Sequence, residues 1–150
     1  MITFIPIGYV RNDSGEYVHQ EDLRQMRSVI EIEPRYADGL MDIEINELIT
    51  VIYYFHLNRG EYRLRLHPRG DESRPITGVF NTRSQFRPNP IGVTVVRLMS
   101  RERNKLLVEW LDALDGTPVL DIKPHVLTFD EGKVIDDPRK DRTLKTTEQP

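Results

Sequence analysis

The stretch ITVIYYFHL, residues Ile49–Leu57, decides the fold class predicted for this chain. β-Branched and aromatic residues dominate it from Ile49 to Phe55, and such residues favour extended strands. A continuous run of this length and composition predicts a strand that is covered on both faces. The centre of the fold is therefore expected to be a β-strand.

Six further segments share the character of this run. They are short, rich in Val, Ile, Tyr and Phe, and bounded by turn residues: Thr3–Val10, Ser28–Ile32, Tyr62–His67, Ile76–Phe80, Val93–Leu98 and Lys105–Leu111. Helical signal is weak and is confined to Gly39–Leu48 and Glu21–Arg27. The pattern predicts a mainly β fold, a small barrel or sandwich with few short helices.

One of these segments alternates in polarity. Tyr62–His67 reads YRLRLH, which predicts that Leu64 and Leu66 face a core while Arg63 and Arg65 point outward.

The chain of 150 residues has the length of one ordinary domain. Apolar periodicity is lost from Asp130 onward, where the sequence reads DEGKVIDDPRKDRTLKTTEQP. We therefore expect a barrel domain over residues 3–130 and a polar, flexible tail over residues 131–150.

Several classes of protein lose support from what the sequence lacks. No G-x-G-x-x-G and no G-x-x-x-x-G-K-[ST] occurs, which argues against a Rossmann or P-loop fold. The four histidines are not in metal-ligand spacing and there is no cysteine, so no metal site is expected. The absence of cysteine fits a cytoplasmic protein. No apolar run approaches the roughly 18 residues of a membrane span.

The charge is distributed unevenly along the chain. The net charge is −3, yet residues 1–58 carry four arginines against ten acids, whereas residues 59–103 carry ten arginines against four acids. An acidic protein with an arginine-rich centre fits a local anion site, because guanidinium groups pair with carboxylates and phosphates in bidentate geometry. A mixed charged surface is the alternative reading.

The densest cationic signal lies in GVFNTRSQFRPNPIGV, residues Gly78–Val93. It contains Arg83 and Arg87 but no acid, and its two prolines exclude a helix or a central strand. A stiff polar loop between two apolar strands is a usual place for ligand-binding groups. A solvated loop with scattered arginines is the alternative.

A second group of polar residues occurs in DALDGTPVLDIKPH, Asp112–His125. Asp115-Gly116 is a strong turn signal. The sequence predicts a compact loop here that brings together Asp115, Thr117, Asp121 and Lys123. Its carboxylates can accept hydrogen bonds from ribose hydroxyls, or can merely cap the backbone of the turn.

Taken together, GVFNTRSQFRPNPIGV, LDGTPVLDIKP and VIYYFH resemble the TsaA-like proteins, also called the YaeB or TrmO family. The resemblance runs from PIGYVR at Pro6–Arg11 to Pro124. It implies a β-barrel methyltransferase that uses S-adenosyl-L-methionine, works as a homodimer and methylates N6 of N6-threonylcarbamoyladenosine at position 37 of tRNA. The implied partners are the tRNA anticodon loop and a second copy of the chain, with no membrane involved.

The resemblance also implies a set of cofactor-binding residues. They are His56, Leu57, Arg83, Val93, Asp115, Gly116, Thr117 and Pro118. The early loop of the family, which usually contains a P-R-Q-P-like stretch, here reads GEYVHQEDLRQ and aligns with its cofactor contacts at Val18, His19 and Gln20.

The threonylcarbamoyl group of the implied substrate carries a carboxylate of its own. Arg87 is the expected partner of that carboxylate, and the positions expected at RNA are Arg63, Arg65, Arg69, Arg74 and Lys123. A general base would help because the target N6 is a urea-type nitrogen. His56, Asp121 and His125 are candidates, and the sequence selects none of them.

Two alternative functions stay open. One is an S-adenosylmethionine-dependent methyltransferase of the same fold that acts on another small nucleophile. The other is a cofactor-binding or RNA-binding module without catalysis.

Overall fold

The structure is a computed structural model that describes residues 1–15, 20–126 and 130. Six strands form a closed antiparallel barrel in the order β1-β2-β7-β6-β3-β8. Their bounds are β1 Gly8–Arg11, β2 Arg27–Ile32, β3 Leu48–Tyr54, β6 Ile91–Glu102, β7 Lys105–Glu109 and β8 Pro118–Pro124. The barrel confirms the predicted fold class.

Two short strands lie outside the barrel. β4, Arg65–Leu66, pairs antiparallel with β5, Thr77–Gly78. The structure describes one α-helix, α1 at Gln20–Gln25, and 3₁₀ turns at Pro34–Leu40, Ile43–Ile45, Pro68–Gly70 and Val79–Asn81. In the described part of the chain, no helix is long and apolar enough to cross a membrane.

The core fills the barrel interior with side chains from alternate positions of the strands. It is built mainly from branched aliphatic residues: Val10, Ile30, Ile32, Ile49, Val51, Val96, Leu106, Val108, Leu111 and Val119. Burial of this much apolar surface is the main stabilising contribution to the fold.

β3 lies at the centre of the sheet, between β6 and β8. The prediction that it is covered on both faces is wrong, because burial alternates along the strand. Ile49, Val51 and Tyr53 point into the barrel, whereas Tyr54 is 36% exposed. In a closed barrel only one face of each strand meets the core, so the apolar run is longer than burial requires.

The segment around β4 also differs from its prediction. Leu66 is buried as expected, but Leu64 is 59% exposed, and only two residues of the predicted strand Tyr62–His67 pair with β5. A two-stranded sheet outside the barrel has little core to face, so the alternation does not translate into burial.

β8 is a strand that the sequence analysis missed. The prediction of a compact loop over Asp112–His125 is wrong beyond Thr117, since Pro118–Pro124 pairs with β3 and with β1. The two prolines misled the prediction, yet they stand at the first and last positions of the strand, where a missing N–H donor is tolerated.

Candidate functional site

Three loops meet at one end of the barrel. Tyr53 near the end of β3 is paired with Gly92 at the start of β6 and with Val119 at the start of β8. Because these pairs are antiparallel, three connecting segments lie together at this end. They are the turn after β3 (55–58), the loop before β6 (79–90, called the cationic loop) and the loop before β8 (110–117, called the Asp115 turn). The predicted site residues His56, Arg83 and Asp115 therefore share one end of the molecule.

The cationic loop is held together by its own side chains. Nη1 of Arg87 donates to the carbonyls of Thr82 at 3.0 Å and Ser84 at 3.1 Å. The Thr82 hydroxyl donates to the Val79 carbonyl at 2.7 Å, and the Ser84 hydroxyl accepts the N–H of Phe86 at 3.1 Å. Arg87 thus helps to fix the loop, whatever ligand it also meets.

Arg83 is an exposed cation at the rim of the barrel. Its Nη2 donates to the carbonyl of Val93, and it forms no ion pair with any acid in the described residues. Its charge also acts on Tyr53, where it opposes the rise in the pKa of that phenol. The guanidinium is therefore anchored at one nitrogen beside the start of β6.

A buried polar network lies close to Arg83. The hydroxyl of Tyr53 donates to Oδ1 of Asp112 at 3.0 Å, and the hydroxyl of Thr94 donates to the same oxygen. The two hydroxyl oxygens lie 3.0 Å apart. Burial, followed by the Asp112 carboxylate, raises the pKa of Tyr53 well above its ordinary value, so the phenol stays a neutral donor.

Gly92 is required for this network because of a close approach. A Cβ at Gly92 would lie 2.3 Å from Cε2 of Tyr53 and 3.0 Å from Cζ of Phe55. The two rings meet edge to face with centroids 5.5 Å apart. The glycine in the PNPIG stretch thus makes room for the buried tyrosine.

The Asp115 turn is hydrogen-bonded to the end of β1 and to the residues that follow it. Oδ1 of Asp115 accepts the N–H of Asn12 at 3.0 Å, and its own N–H donates to the Ser14 hydroxyl at 2.8 Å. The N–H of Gly116, at φ 83°, donates to the Val10 carbonyl at 2.7 Å. The carboxylate therefore has a structural role in the turn.

Thr117 closes the same turn from inside. Its side chain is 3% exposed, and its hydroxyl donates to the Leu114 carbonyl at 2.7 Å. Pro118 follows as the first residue of β8. Both residues shape the turn from positions that are buried or half-buried.

His56 lies against this turn, with Nε2 3.8 Å from the point that a Cβ on Gly116 would occupy. Burial lowers the pKa of His56, and the nearby Asp115 carboxylate opposes that effect. The imidazole is therefore neutral at pH 7. Leu57, the next residue, is 40% exposed.

Asn58 joins the turn after β3 to the cationic loop. It is 3% exposed, and its Nδ2 donates to the carbonyl of Gln85. Its buried Oδ1 has no hydrogen-bond donor among the residues that the structure describes. An acceptor of this kind, close to the predicted site, can receive a donor from a ligand.

Three residues that the sequence placed with this group lie elsewhere. Asp121 and Lys123 are further along β8, and His125 follows its last residue; the seven residues of the strand span about 20 Å at strand spacing. Lys123 pairs with Asp121 at 3.1 Å, and Nδ1 of His125 lies 3.3 Å from a carboxylate oxygen of Asp130. The predicted cluster of Asp115 and Thr117 with Asp121 and Lys123 does not form.

The early loop is largely outside the described residues. Val18 and His19 lie outside them, as does the tail over residues 131–150. The backbone of Gln20 begins α1, and its side chain is outside the description.

Of the arginines expected at RNA, Arg63 contacts the cationic loop. The N–H of Arg63 donates to the Phe86 carbonyl at 3.0 Å, and its guanidinium stacks over the Phe86 ring at 5.3 Å. Arg65 is exposed on β4, and Arg69 lies in the following 3₁₀ turn. Arg74 pairs with Asp71 at 3.4 Å.

Sequence reasoning missed five polar residues of this end of the barrel: Asn12, Ser14, Tyr53, Thr94 and Asp112. Their signal was faint, consisting of a tyrosine and a threonine inside apolar runs and of an N-D-S-G turn at residues 12–15. Polar residues at core-facing strand positions require partners, and this rule would have singled out Tyr53 and Thr94.

A separate open groove of about 580 Å³ lies at the opposite end of the barrel, where β6 turns into β7. Its lining includes Asp38, Met41 and Arg101, and Arg101 is paired with Glu44 at 3.1 Å. It contains none of the predicted site residues. Within the described residues, no group of three or more acidic or histidine side chains is arranged to hold a metal ion.

The match to a known protein family covers the same residues. The chain matches the model of the tRNA-methyltransferase O N-terminal domain over residues 13–131. It belongs to the TrmO family. This match spans the cationic loop, the Asp115 turn and the buried network between them.

Related proteins carry names that agree with this family. A probable S-adenosyl-L-methionine-binding protein of Pyrococcus abyssi is 40% identical over 135 residues, covering 87% of this chain and 71% of that protein. An S-adenosyl-L-methionine-binding protein of Archaeoglobus fulgidus is 43% identical over 123 residues, covering 80% and 86%. A tRNA (adenine(37)-N6)-methyltransferase of mouse is 34% identical over 113 residues, covering 75% of this chain and 26% of the mouse protein.

Solved structures of the TrmO family have the same fold. A crystal structure of TrmO superposes with a TM-score of 0.67 at 33% identity, covering 87% of this chain and 60% of the TrmO chain. TrmO from Pseudomonas aeruginosa gives 0.65 at 32% identity, covering 87% and 59%. This chain therefore spans about 60% of the length of the solved TrmO chains.

Proposed function

We propose that this chain transfers a methyl group from S-adenosyl-L-methionine to N6 of N6-threonylcarbamoyladenosine at position 37 of tRNA. Membership of the TrmO family supports the cofactor and the reaction class, and the mouse relative is named for methylation at N6 of adenine 37. The observation that carries the proposal is the meeting of Arg83, His56 and the Asp115 turn at one end of the barrel.

The residues present fit a zwitterionic cofactor with an adenine ring. The Arg83 guanidinium, exposed and anchored at one nitrogen, suits a methionyl carboxylate. Leu57 and Val93, each 40% exposed, offer apolar surface to the ring. Asn58, the residue after Leu57, adds a buried Oδ1 acceptor that has no donor among the described residues. When bound, the cofactor supplies a methyl group activated by a sulfonium.

The sequence assigned Asp115 to ribose hydroxyls or to an ammonium. In this proposal only one of its oxygens is engaged by Asn12, and the carboxylate retains acceptor capacity for a ligand. Gly116, Thr117 and Pro118 then shape the wall of the site by their backbone. Val18, His19 and Gln20 stay predicted contacts from the early loop.

Besides the methionyl carboxylate of the cofactor, the proposed reaction involves the carboxylate of the threonylcarbamoyl group on the substrate. Arg87 is its proposed partner, because Nη1 is the only guanidinium nitrogen of this residue with a hydrogen bond in the described residues, which leaves Nε and Nη2 for a ligand. Arg63, Arg65 and Arg69 are proposed at RNA phosphates. Arg74 and Lys123 have acidic partners and would contribute less.

Positioning supplies most of the acceleration in this proposal, because methyl transfer is an in-line displacement that needs nucleophile, methyl and leaving group aligned. The hydrogen bonds among Tyr53, Thr94 and Asp112 hold these side chains in place at the rim of the barrel. Of the three candidate bases, His56 is the one beside the Asp115 turn, and its neutral imidazole can accept a proton from N6.

The proposal includes a cytoplasmic homodimer with the cofactor near the subunit interface. The outer face of β3 and β6 supports it, since Tyr54, Val93 and Val95 are 36%, 40% and 38% exposed there. An apolar strip on a barrel exterior is typical of an interface between subunits. Light scattering of the purified chain should give twice the monomer mass. A monomer mass would contradict the proposed homodimer.

The reaction is tested with labelled S-adenosylmethionine and two matched tRNA preparations, one bearing the threonylcarbamoyl group and one lacking it. Label should enter the modified tRNA alone. Transfer to both preparations would contradict the substrate assignment. Cofactor binding with no transfer to either would support the non-catalytic module, and transfer to a tRNA-free extract would support another small nucleophile.

A further inference from the structure

Asn58 is a buried asparagine in the turn after β3, and its backbone is held by hydrogen bonds on both sides. Its N–H donates to the Phe55 carbonyl at 3.1 Å, and its carbonyl accepts the N–H of Glu61 at 3.2 Å. The two residues that follow it, Arg59 and Gly60, have φ of 56° and 80°. The backbone therefore sets the direction in which the Asn58 side chain leaves the turn.

The Asn58 side chain links this turn to the cationic loop. Backbone and side-chain hydrogen bonds join residues 55–63 to residues 85–90. They run from the N–H of Phe55 to the carbonyl of Pro90 at 2.8 Å, from the N–H of Arg63 to the carbonyl of Phe86 at 3.0 Å, and from Nδ2 of Asn58 to the carbonyl of Gln85. Of these hydrogen bonds, only that of Asn58 is made by a side chain, so it can be removed by substitution without a change of backbone.

The Gln85 carbonyl connects Asn58 to Arg87. It accepts Nδ2 of Asn58 and also the backbone N–H of Arg87 at 2.9 Å. The Arg87 guanidinium is bound to two further carbonyls within residues 82–85. Both ends of Arg87 are therefore tied to this stretch of the loop, and Asn58 ties the same stretch to the turn that carries His56.

Stability alone gives little reason to bury this amide. Its Oδ1 has no hydrogen-bond donor among the described residues, and an unsatisfied buried acceptor costs free energy that an apolar side chain would not. Without Asn58 the Gln85 carbonyl would still accept the N–H of Arg87. What the amide adds is a fixed placement of the loop relative to the turn.

We propose that Asn58 is a positioning residue that acts through the Gln85 carbonyl. It holds Arg87 in place relative to His56, so that the carboxylate and N6 of one modified nucleotide can meet both residues. This inference rests on the proposed function, which assigns the threonylcarbamoyl carboxylate to Arg87. It adds that the preference for the modified nucleotide depends on the turn after β3 as well as on the cationic loop.

A double-mutant cycle of Asn58→Ala and Arg87→Gln tests this positioning. Fluorescence anisotropy measures the affinity for labelled anticodon stem-loops with and without the threonylcarbamoyl group, and the ratio of the two affinities gives the preference. Each substitution should lower the preference shown by the wild type by about 5- to 10-fold, the scale of one hydrogen bond. The double variant should lose no more than Arg87→Gln alone, because both changes remove the same contact.

Asn58→Asp is a second variant, which keeps the shape of the side chain and removes the donor when ionised. It should lower the preference as Asn58→Ala does, and urea denaturation checks that each variant is folded. Asn46→Ala is the matched control, because Nδ2 of Asn46 also donates to a backbone carbonyl, that of Ile43 at 3.1 Å, at the end of β3 away from the site. It should leave the preference unchanged.

An unchanged preference in the folded variants of Asn58 would overturn the inference, and so would losses that add in the double variant. Equal weakening of both stem-loops would give Asn58 a general structural role and would also contradict it. Any of these results, together with methyl transfer to the modified tRNA by the wild type, would leave the proposed function standing. A wild type that binds both stem-loops equally and transfers methyl to neither tRNA would overturn the proposed function itself.

Discussion

The rim of the barrel and the small β4–β5 sheet with the 3₁₀ turn after β4 differ in how their charged groups are partnered. At the rim, the carboxylate of Asp112 receives two hydroxyl donors, and that of Asp115 receives a backbone N–H. In the second region, Arg65 on β4 and Arg69 in the following 3₁₀ turn have no acidic partner among the described residues. The acids of the first region have partners within the protein, whereas these two arginines of the second region have no acidic partner among the described residues.

This difference matches the two kinds of ligand in the proposed reaction. A small cofactor must be held in one geometry for an in-line transfer, which requires groups fixed by the surrounding structure. A polyanion is attracted by many exposed cations at once, and its binding depends strongly on salt. Substitutions at the rim should therefore change stability and cofactor binding, whereas substitution of the unpaired arginines near the β4–β5 sheet should change RNA binding alone.

The largest effect is expected from Gly92→Ala. The added Cβ would lie 2.3 Å from the buried Tyr53 ring, whose hydroxyl is held by Asp112 and Thr94. Since the ring has no room to shift, overpacking should lower the free energy of unfolding by about 3 kcal/mol, measured by urea denaturation.

Gly78→Ala is the control for this prediction, because nothing lies within 4 Å of a Cβ at that position. It should change the free energy of unfolding by less than about 0.5 kcal/mol. Equal free energies of unfolding for the two variants would show that the rim can accommodate a Cβ beside the Tyr53 ring.

Tyr53→Phe should have the next largest effect. It removes one of the hydroxyl donors to a partly buried carboxylate, and the loss should lower the free energy of unfolding by about 1–2 kcal/mol. Tyr54→Phe is the matched change on the outer face of the same strand, where the side chain is 36% exposed, and it should be neutral. An unchanged free energy of unfolding in Tyr53→Phe would contradict the structural role given to the polar groups at the rim.

On β4, Arg65→Gln should leave stability unchanged and weaken tRNA binding. Removing one phosphate contact should reduce the slope of log affinity against log salt by about 1. Arg97→Gln serves for comparison, since Arg97 is paired with Glu109 at 3.7 Å. A slope that is the same for wild type and Arg65→Gln would place RNA elsewhere.

The smallest effect concerns pH. Burial lowers the pKa of His56 in the folded state, so below its ordinary value of 6.5 the unfolded chain binds the proton more readily than the folded chain. Stability is therefore lost as pH falls from 6.5 through the lowered pKa. Wild type should lose slightly more stability than His56→Gln between about pH 7.5 and pH 5 in urea titrations. An identical loss would mean that the imidazole is solvated in both states.

Much of the fold could be predicted because strand formation leaves a local signal. Ile49–Leu57 and Lys105–Leu111 coincide closely with β3 and β7. The order of strands around the barrel, and the existence of β8, depend on pairing between distant segments, which composition does not encode. Prolines at both ends of β8 added a false loop signal.

The candidate site could likewise be predicted only in part from the sequence. The cationic loop and the Asp115 turn were found because arginine, proline and glycine are conspicuous in sequence. The network of Tyr53, Thr94 and Asp112 joins positions 18 to 59 residues apart, so no local pattern could reveal it. Asp121 and Lys123 were misplaced because a predicted turn was in fact a strand.

Calorimetric titration with S-adenosyl-L-methionine measures whether the barrel end around Arg83 holds the cofactor. Wild type should bind, and Arg83→Ala should bind more weakly by about 1.5–3 kcal/mol, the scale of a lost charged hydrogen bond. Arg103→Ala, an exposed arginine at the opposite end of the barrel, should bind as the wild type does. Equal affinities for wild type and Arg83→Ala would contradict the account.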